Sequence, residues 1–241
     1  MLIRLLAVLA FLAAGAATAA EFTPAQEEAI GRLVREYLLR HPEVLREAFE
    51  ELQVREQREV AERRQALLAA MKDDLERHPG DPVLGNPDGD VTVVEFFDYR
   101  CPYCKAAAPT VERLAHEDGR VRRVMKELPI LGPESVIAAR AALAARRQGK
   151  YALLHAGLIA APGRLDEAAI FRIAGEKGLD LARLRRDMDA PEVVETLTRV
   201  RDEARALDIS GTPAFVIGGV LVPGAIDHPT LKSLVAKARG G

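Results

Sequence analysis

The chain has 241 residues and 49% of them are apolar, so it is long enough and apolar enough for one large domain, or for a smaller domain with an appendage. Its formal net charge of −2 gives no support to nucleic-acid binding, which depends on a basic surface. Tryptophan is absent, which leaves packing mainly to alanine, leucine and valine.

The first twenty residues have the pattern of an export signal. Arg4 supplies a basic start, residues 5–14 form an apolar run, and Ala17-Thr18-Ala19 offers a cleavage site, with cleavage after Ala20 also open. The run is short for a permanent membrane span, although an uncleaved N-terminal anchor is the alternative. We therefore predict a cleaved signal peptide at residues 1–20 and a periplasmic mature protein, in a compartment where disulfides persist.

Residues 21–78 are predicted to form a helical arm. Thr23-Pro24 is typical of a helix start, and His41-Pro42 interrupts the helix before a second, highly charged one. An apolar stripe with helical spacing lies between them, at Ile30, Leu33, Val34, Tyr37 and Leu38. The stripe is too narrow to fold alone, so the arm associates with other copies, packs on its own domain or stays mobile. We favour self-association into a homo-oligomer, a trimer or a dimer.

Residues 79–241 are predicted to form the main domain, because proline and glycine are dense between 78 and 90 and mark a boundary. The predicted elements are a strand at 91–97, a helix at 102–116, a strand at 121–128, about four helices at 134–207, a hairpin at 212–217 and 220–222, and a helix at 227–238. This order predicts an α/β fold with an inserted helical segment.

The two cysteines of the chain lie three residues apart, in Cys101-Pro102-Tyr103-Cys104. A disulfide across so small a loop adds little stability. The pair follows a predicted strand and opens a predicted helix, which is the setting of a thioredoxin-like redox site. Because a helix N-terminus stabilises a thiolate, we predict Cys101 as the exposed nucleophile and Cys104 as the shielded resolving thiol. Pro102 suits the first helical turn.

Three other uses of the pair remain open: a structural disulfide, half of a zinc site and a Cu(I) site at Cys101 and Cys104. A zinc site lacks a second cysteine pair, and the five histidines show no ligand spacing. Two thiolates are suitable ligands for Cu(I).

Two further positions have chemical interest. Glu95 lies within the apolar strand, and it either faces solvent or is a buried acid that accepts the proton of Cys104. Thr212-Pro213 opens a strand, and Pro213 either has an ordinary trans bond or is a cis-proline that presents the Thr212 backbone to substrate.

These residues together resemble the DsbA family of extracytoplasmic thiol–disulfide oxidoreductases. The likeness runs over about residues 81–237, through Gly85-Asn86-Pro87, Val94-Glu95-Phe96-Phe97-Asp98-Tyr99, the cysteine motif, Pro129-Ile130-Leu131-Gly132-Pro133 and Gly211-Thr212-Pro213-Ala214-Phe215. It implies a thioredoxin-like fold, Cys101 as the attacking sulfur, Cys104 as the resolving sulfur, Pro213 as a cis-proline and Glu95 as a buried acid. It also implies no cofactor beyond the redox-active Cys101–Cys104 disulfide.

The details resemble the ScsC and Com1-like branch, in which a helical arm precedes the domain. Tyr103 stands where the best-known oxidases have histidine, and Thr212 is typical of the isomerases. We therefore predict an oxidoreductase with isomerase or reductase character. Its expected partners are client proteins with cysteines and a membrane or periplasmic redox partner. A monomeric disulfide oxidase and a Cu(I)-binding copper-tolerance protein are the alternatives.

Overall fold

A computed structural model describes residues 22–163 and 165–240, so the predicted signal peptide lies outside the described residues. The chain divides into two compact units, with the division between Glu59 and Val60. Within the described ranges, none of the helices is both long and apolar enough to cross a membrane.

The first unit consists of helix over most of its described residues. Helix α1 (Pro24–Arg40) begins at Thr23, whose side chain accepts a hydrogen bond from the Gln26 backbone while the Gln26 side chain accepts one from the Thr23 backbone. Helix α2 (Pro42–Ala70) begins directly after His41, as predicted. Because all of α1 is at least partly exposed, its apolar stripe faces solvent in the single chain.

The second unit is built on a sheet that has five strands over the described residues, in the order β1-β3-β2-β4-β5. The strands are β1 (Val83–Gly85), β2 (Val91–Phe97), β3 (Val121–Glu127), β4 (Ala214–Ile217) and β5 (Val220–Pro223). Strands β2 and β3 are parallel, and the other neighbouring pairs are antiparallel. Every residue of β2 and β3 is buried, so this pair forms the centre of the unit.

Helices cover the sheet and fill the connection between β3 and β4. They are α3 (Lys72–Arg77), α4 (Pro102–Asp118), α5 (Pro133–Ala145), α6 (Tyr151–Ala160), α7 (Glu167–Glu176), α8 (Leu181–Asp187), α9 (Pro191–Ala206) and α10 (His228–Gly240). Over the described residues the insertion holds five α-helices, where about four were predicted. Four proline or glycine positions separate them: Gly149, Pro162-Gly163, Gly178 and Pro191. The predicted α/β fold with an inserted helical segment is confirmed.

A strand and two buried leucines of this unit lie in segments for which the sequence predicted only a helical arm and a domain boundary. Strand β1 pairs with β3, and it was not predicted because it has three residues among prolines and glycines. Leu68 and Leu75 are buried in an apolar cluster with Phe96 of β2. The compact division consequently falls at 59/60, earlier in the chain than the predicted boundary at 78/79.

Candidate thiol–disulfide site

The two cysteines lie where β2 leads into α4. Cys101 is the N-cap of α4 and has extended backbone angles, Pro102 occupies the first turn, and Cys104 follows in the same turn. Both cysteines are free thiols. The first N–H groups of a helix have no partner within the helix, and its dipole is positive at this end, so Cys101 lies beside free N–H donors.

The expectation that Cys101 is exposed is wrong. Cys101 is 4% exposed and Cys104 is 0% exposed. The cause is the loop before β4: the Cys101 thiol donates a hydrogen bond to the Thr212 carbonyl oxygen at 3.1 Å. The Thr212–Pro213 bond of this loop is cis, as the resemblance implies, and Pro213 is buried while Thr212 is half-buried.

Burial has a large effect on the second thiol. It raises the pKa of Cys104 well above the ordinary value, and hydrogen bonds with the Asp98 backbone and the Thr212 side chain oppose only part of the rise. A thiol of this kind is protonated at neutral pH. Because the thiolate is the nucleophile, Cys104 needs a proton acceptor before it can attack a disulfide.

Glu95 is buried in β2, so the alternative in which it faces solvent is wrong. Successive residues of β2 enter different apolar clusters, Val93 on one face and Val94 on the other, which leaves neither face of the strand open. Arg123 of β3 lies beside Glu95, with Nη2 3.2 Å from Oε2. Burial raises the pKa of Glu95, and the positive charge of Arg123 opposes the rise.

Sequence reasoning missed Arg123 as the partner of Glu95. The available signal was the composition of β3, which has four charged residues although it lies at the centre of a domain: Arg122, Arg123, Lys126 and Glu127. Charges in a buried strand need partners, so a charged strand next to Glu95 indicates an ion pair.

Asp98 was also missed, and it connects the cysteine loop to the segment after β3. Its Oδ1 accepts a hydrogen bond from the Arg100 N–H at 2.8 Å. Its Oδ2 accepts from the Ile130 N–H at 2.9 Å and the Leu131 N–H at 3.0 Å. The Arg100 guanidinium adds a bond to the Leu131 carbonyl at 2.8 Å. The only signal in the sequence was an acid at the end of an apolar strand.

The surface around the cysteines carries exposed apolar side chains on a fixed backbone. Ile130 and Leu131 are exposed although Asp98 holds their N–H groups. Tyr103 is 67% exposed within the cysteine motif. Side chains of this kind, beside a reactive sulfur, are suited to contact apolar parts of a polypeptide.

Within residues 22–163 and 165–240, no group of three or more His, Cys, Asp and Glu side chains is placed to hold a metal ion. A zinc half-site at the cysteines therefore gains no further ligands from the described residues, whereas a two-thiolate Cu(I) site needs none.

Residues 92–236 match the DSBA-like thioredoxin domain, and residues 26–59 match the copper resistance protein ScsC N-terminal domain. The two matches fall on the predicted domain and on the predicted arm.

Solved structures that are similar to the chain include an oxidoreductase and a ScsC protein. A thioredoxin-like oxidoreductase from Silicibacter pomeroyi is 50% identical, with a TM-score of 0.69, and the match covers 70% of this chain and 98% of that one. ScsC of Proteus mirabilis, in a transitional conformation, is 31% identical, with a TM-score of 0.67, and the match covers 92% of this chain and 99% of that one. The second likeness includes the helices before the domain.

Among curated proteins, the Na⁺/H⁺ antiporter NhaA 1 of Salinispora arenicola is 34% identical over 163 residues, which are 67% of this chain and 25% of the antiporter. The chain thus spans about a quarter of the length of the curated relatives that it matches.

Proposed function

Because the chain belongs to the family of DSBA-like thioredoxin domains, we propose that it is a thiol–disulfide oxidoreductase that exchanges disulfides with client proteins. One observation carries the proposal: Cys101 is the N-cap residue of α4 and its thiol contacts the Thr212 carbonyl at 3.1 Å, with a shielded second thiol in the same turn. The cysteine pair itself holds the two electrons, so the reaction needs no bound cofactor.

In the reducing direction, the Cys101 thiolate attacks a client disulfide. The client S–S bond breaks, a bond between Cys101 and the client forms, and the released client sulfur takes up a proton. Cys104 then loses its proton and attacks Cys101 Sγ, so the Cys101–Cys104 disulfide forms and the second client sulfur leaves as a thiolate that is then protonated. Two electrons pass to the client, and oxidation of a client is the reverse.

We assign Glu95 as the acceptor of the Cys104 proton. Burial makes Cys104 a weak acid, and the guanidinium of Arg123 beside Glu95 supports an ionised carboxylate there. In the Glu95→Gln variant the first attack by Cys101 should keep its rate, whereas resolution of the mixed disulfide should slow at least tenfold. Stopped-flow measurement of both phases tests this role, and equal resolution rates would contradict it.

We assign the surface around Cys101 as the contact region for clients. Thr212 offers backbone groups next to the sulfur, and Pro213 holds the loop that carries them. Ile130, Leu131 and Tyr103 present apolar area beside it. Extended or unfolded segments have free backbone groups and exposed apolar side chains, so they fit this surface better than folded domains do.

We further propose that the protein is a homo-oligomer, a trimer or a dimer, with isomerase or reductase character. The apolar stripe of α1 faces solvent, which disfavours a permanent monomer. Residues 26–59 match a domain of ScsC, the branch to which the predicted arm pointed. Several sites held in one particle can rearrange a client's disulfides, while a lone site mainly donates them. The monomeric oxidase is the alternative.

Two measurements test these proposals. Recovery of ribonuclease A activity from scrambled disulfides reports isomerase activity, and recovery no greater than that with the Cys101→Ala/Cys104→Ala variant would overturn it. Light scattering of residues 21–241 and residues 60–241 reports assembly. We expect the longer chain to be oligomeric and the shorter one monomeric, and equal monomeric masses would overturn self-association.

We place the mature protein in the periplasm, after cleavage of residues 1–20 near Ala19 or Ala20. This placement rests on the basic start and apolar run of the leader, and it provides the redox conditions that the cysteine pair requires. A membrane or periplasmic redox partner then resets the pair after each cycle. Cell fractionation, with mass spectrometry of the N-terminus, tests both the location and the cleavage site.

A second candidate function is Cu(I) binding by the same two thiolates. The neighbouring thiols of Cys101 and Cys104, and the match to a domain named for copper resistance, favour it. Anaerobic Cu(I) titration of the reduced protein should give one ion per chain, and the ion should be lost in Cys101→Ala. Equal binding by that variant would exclude the cysteine pair as the site.

A further inference from the structure

A second buried acid, Glu127, lies close to the cysteine loop and has no role in the reaction proposed above. Glu127 is the last residue of β3. The hydroxyl of Tyr99 lies 2.8 Å from Glu127 Oε1, and the hydroxyl of Tyr151 lies 2.9 Å from the same oxygen. Tyr99 precedes Cys101 by two residues, and both tyrosines belong to the apolar cluster that contains the cysteine pair.

The surroundings of Glu127 favour an uncharged carboxyl group. Its Oε2 is buried and has no hydrogen-bond partner among the described residues. None of the described cationic side chains pairs with this carboxyl group. Glu95, in contrast, has Arg123 beside it. A buried carboxylate without a cation is costly. Burial raises the pKa of Glu127 well above its ordinary value, the charge of Asp98 adds to the rise, and the tyrosine hydroxyls oppose it.

The hydrogen atoms of the cluster can be placed consistently with a neutral Glu127. Tyr99 lies between Glu127 and His155, whose Nδ1 is 3.0 Å from the Tyr99 hydroxyl. Both tyrosine hydroxyls donate to Oε1, the carboxyl proton lies on Oε2, and the Nδ1–H of His155 donates to the Tyr99 oxygen. Burial lowers the pKa of His155 to about 3, so its ring is neutral and carries a single proton, here on Nδ1.

Charging Glu127 would keep the two tyrosine bonds but would leave a buried negative charge whose Oε2 has no donor. The titratable and charged groups that face the cluster are Tyr99 and Asp98 from the loop after β2, Tyr151 and His155 from α6, Glu95 from β2 and Arg123 from β3.

We propose that Glu127 is a positioning residue of the exchange reaction and acts on Cys101 through Tyr99. The loop from Asp98 to Cys101 is held at its polar side by Asp98 and at its buried side by the Tyr99 ring, which packs edge-on against Phe97 with ring centroids 5.1 Å apart. The neutral Glu127 fixes the Tyr99 hydroxyl and so maintains Cys101 as the cap of α4. The inference rests on the proposed function, because it concerns the reactivity of Cys101.

Tyr99→Phe and Tyr151→Phe form a matched pair that tests this role. Each variant removes one hydrogen bond to Glu127 Oε1, and Tyr99→Phe also removes the contact with His155; only Tyr99 lies on the cysteine loop. Loss of one such bond corresponds to about fivefold in rate if all of it acts on the reacting geometry. We expect Tyr99→Phe to react with oxidised glutathione about fivefold more slowly than the wild type, and Tyr151→Phe to stay within twofold. Equal rates for the two variants would overturn the inference.

The Glu127→Gln variant tests whether Glu127 acts in its uncharged form, since glutamine keeps the oxygen acceptor and cannot ionise. At pH 7 we expect its rate to stay within twofold of the wild type, and its rate against pH to lack the change that ionisation of Glu127 produces in the wild type. A Glu127→Gln rate as low as that of Tyr99→Phe would show that the charge is needed and would overturn the proposal. A wild type that does not react at all overturns the proposed function and the inference with it, whereas a reactive wild type with an equally reactive Tyr99→Phe overturns the inference alone.

Discussion

Replacement of Asp98 by alanine should loosen the client-contact surface and destabilise the second unit. The Asp98 carboxylate accepts three backbone N–H bonds of 2.8–3.0 Å, from Arg100, Ile130 and Leu131. A hydrogen bond to a charged group contributes about 1.5–3 kcal/mol. Because these donors lie near the surface and water can replace part of the loss, we expect the free energy of unfolding to fall by about 3 kcal/mol.

Asp98→Asn should cost less than the alanine variant. Its amide oxygen can take the position of Oδ2 and keep the bonds from Ile130 and Leu131, but its NH₂ group then faces the Arg100 N–H. One bond of the three is lost, for a cost of about 1 kcal/mol. Asp227→Ala is a matched control, since Asp227 accepts one bond from the Thr230 N–H at an exposed helix start and should cost less than Asp98→Ala.

Urea unfolding of the reduced proteins, followed by circular dichroism, measures these costs. The two Asp98 variants should also show a raised KM for a peptide disulfide, because the segment with Ile130 and Leu131 is held less firmly near Cys101. If Asp98→Ala costs no more than Asp227→Ala, the three bonds do not hold the surface and the argument is refuted.

Three further outcomes follow from the geometry. Cys104→Ala should accumulate mixed disulfides with clients on non-reducing gels, and trapping in Cys101→Ala instead would reverse the assigned order of attack. Ile130→Ser should raise KM severalfold for apolar peptide disulfides with little change in kcat, whereas the exposed Leu153→Ser on α6 should change neither; equal effects would remove Ile130 from the contact surface. His155, with its pKa lowered to about 3 against about 6.5 in unfolded chains, takes up a proton on unfolding. Its contribution to stability is therefore complete above pH 6.5 and is lost toward pH 3 by about 1.4 kcal/mol per pH unit. Urea unfolding at several pH values should give the His155→Gln variant a shallower slope of the free energy of unfolding against pH than the wild type. An unchanged slope would contradict a buried neutral ring.

Much of the second unit could be predicted because its local signals agree. Strand β2 is a continuous apolar run around one acid, and α4 begins at a proline after a cysteine, so both pattern and capping point to the same junction. Strand β1 gave no such signal, since three residues cannot show a period. The burial of Cys101 could not be predicted either, because Thr212, which covers it, lies 111 residues along the chain.

The sequence by itself determined the cysteine pair, its place between strand and helix, and the helical character of the arm, because these depend on neighbouring residues and on periodicity. Only the tertiary structure decided how the acids divide their roles. Glu95 and Glu127 are both carboxyls in buried strands, yet Arg123 compensates the first, and two tyrosines hold the second without a cation. Partners of this kind come from other strands and helices, and the charge state of a buried group depends on those partners rather than on its own type.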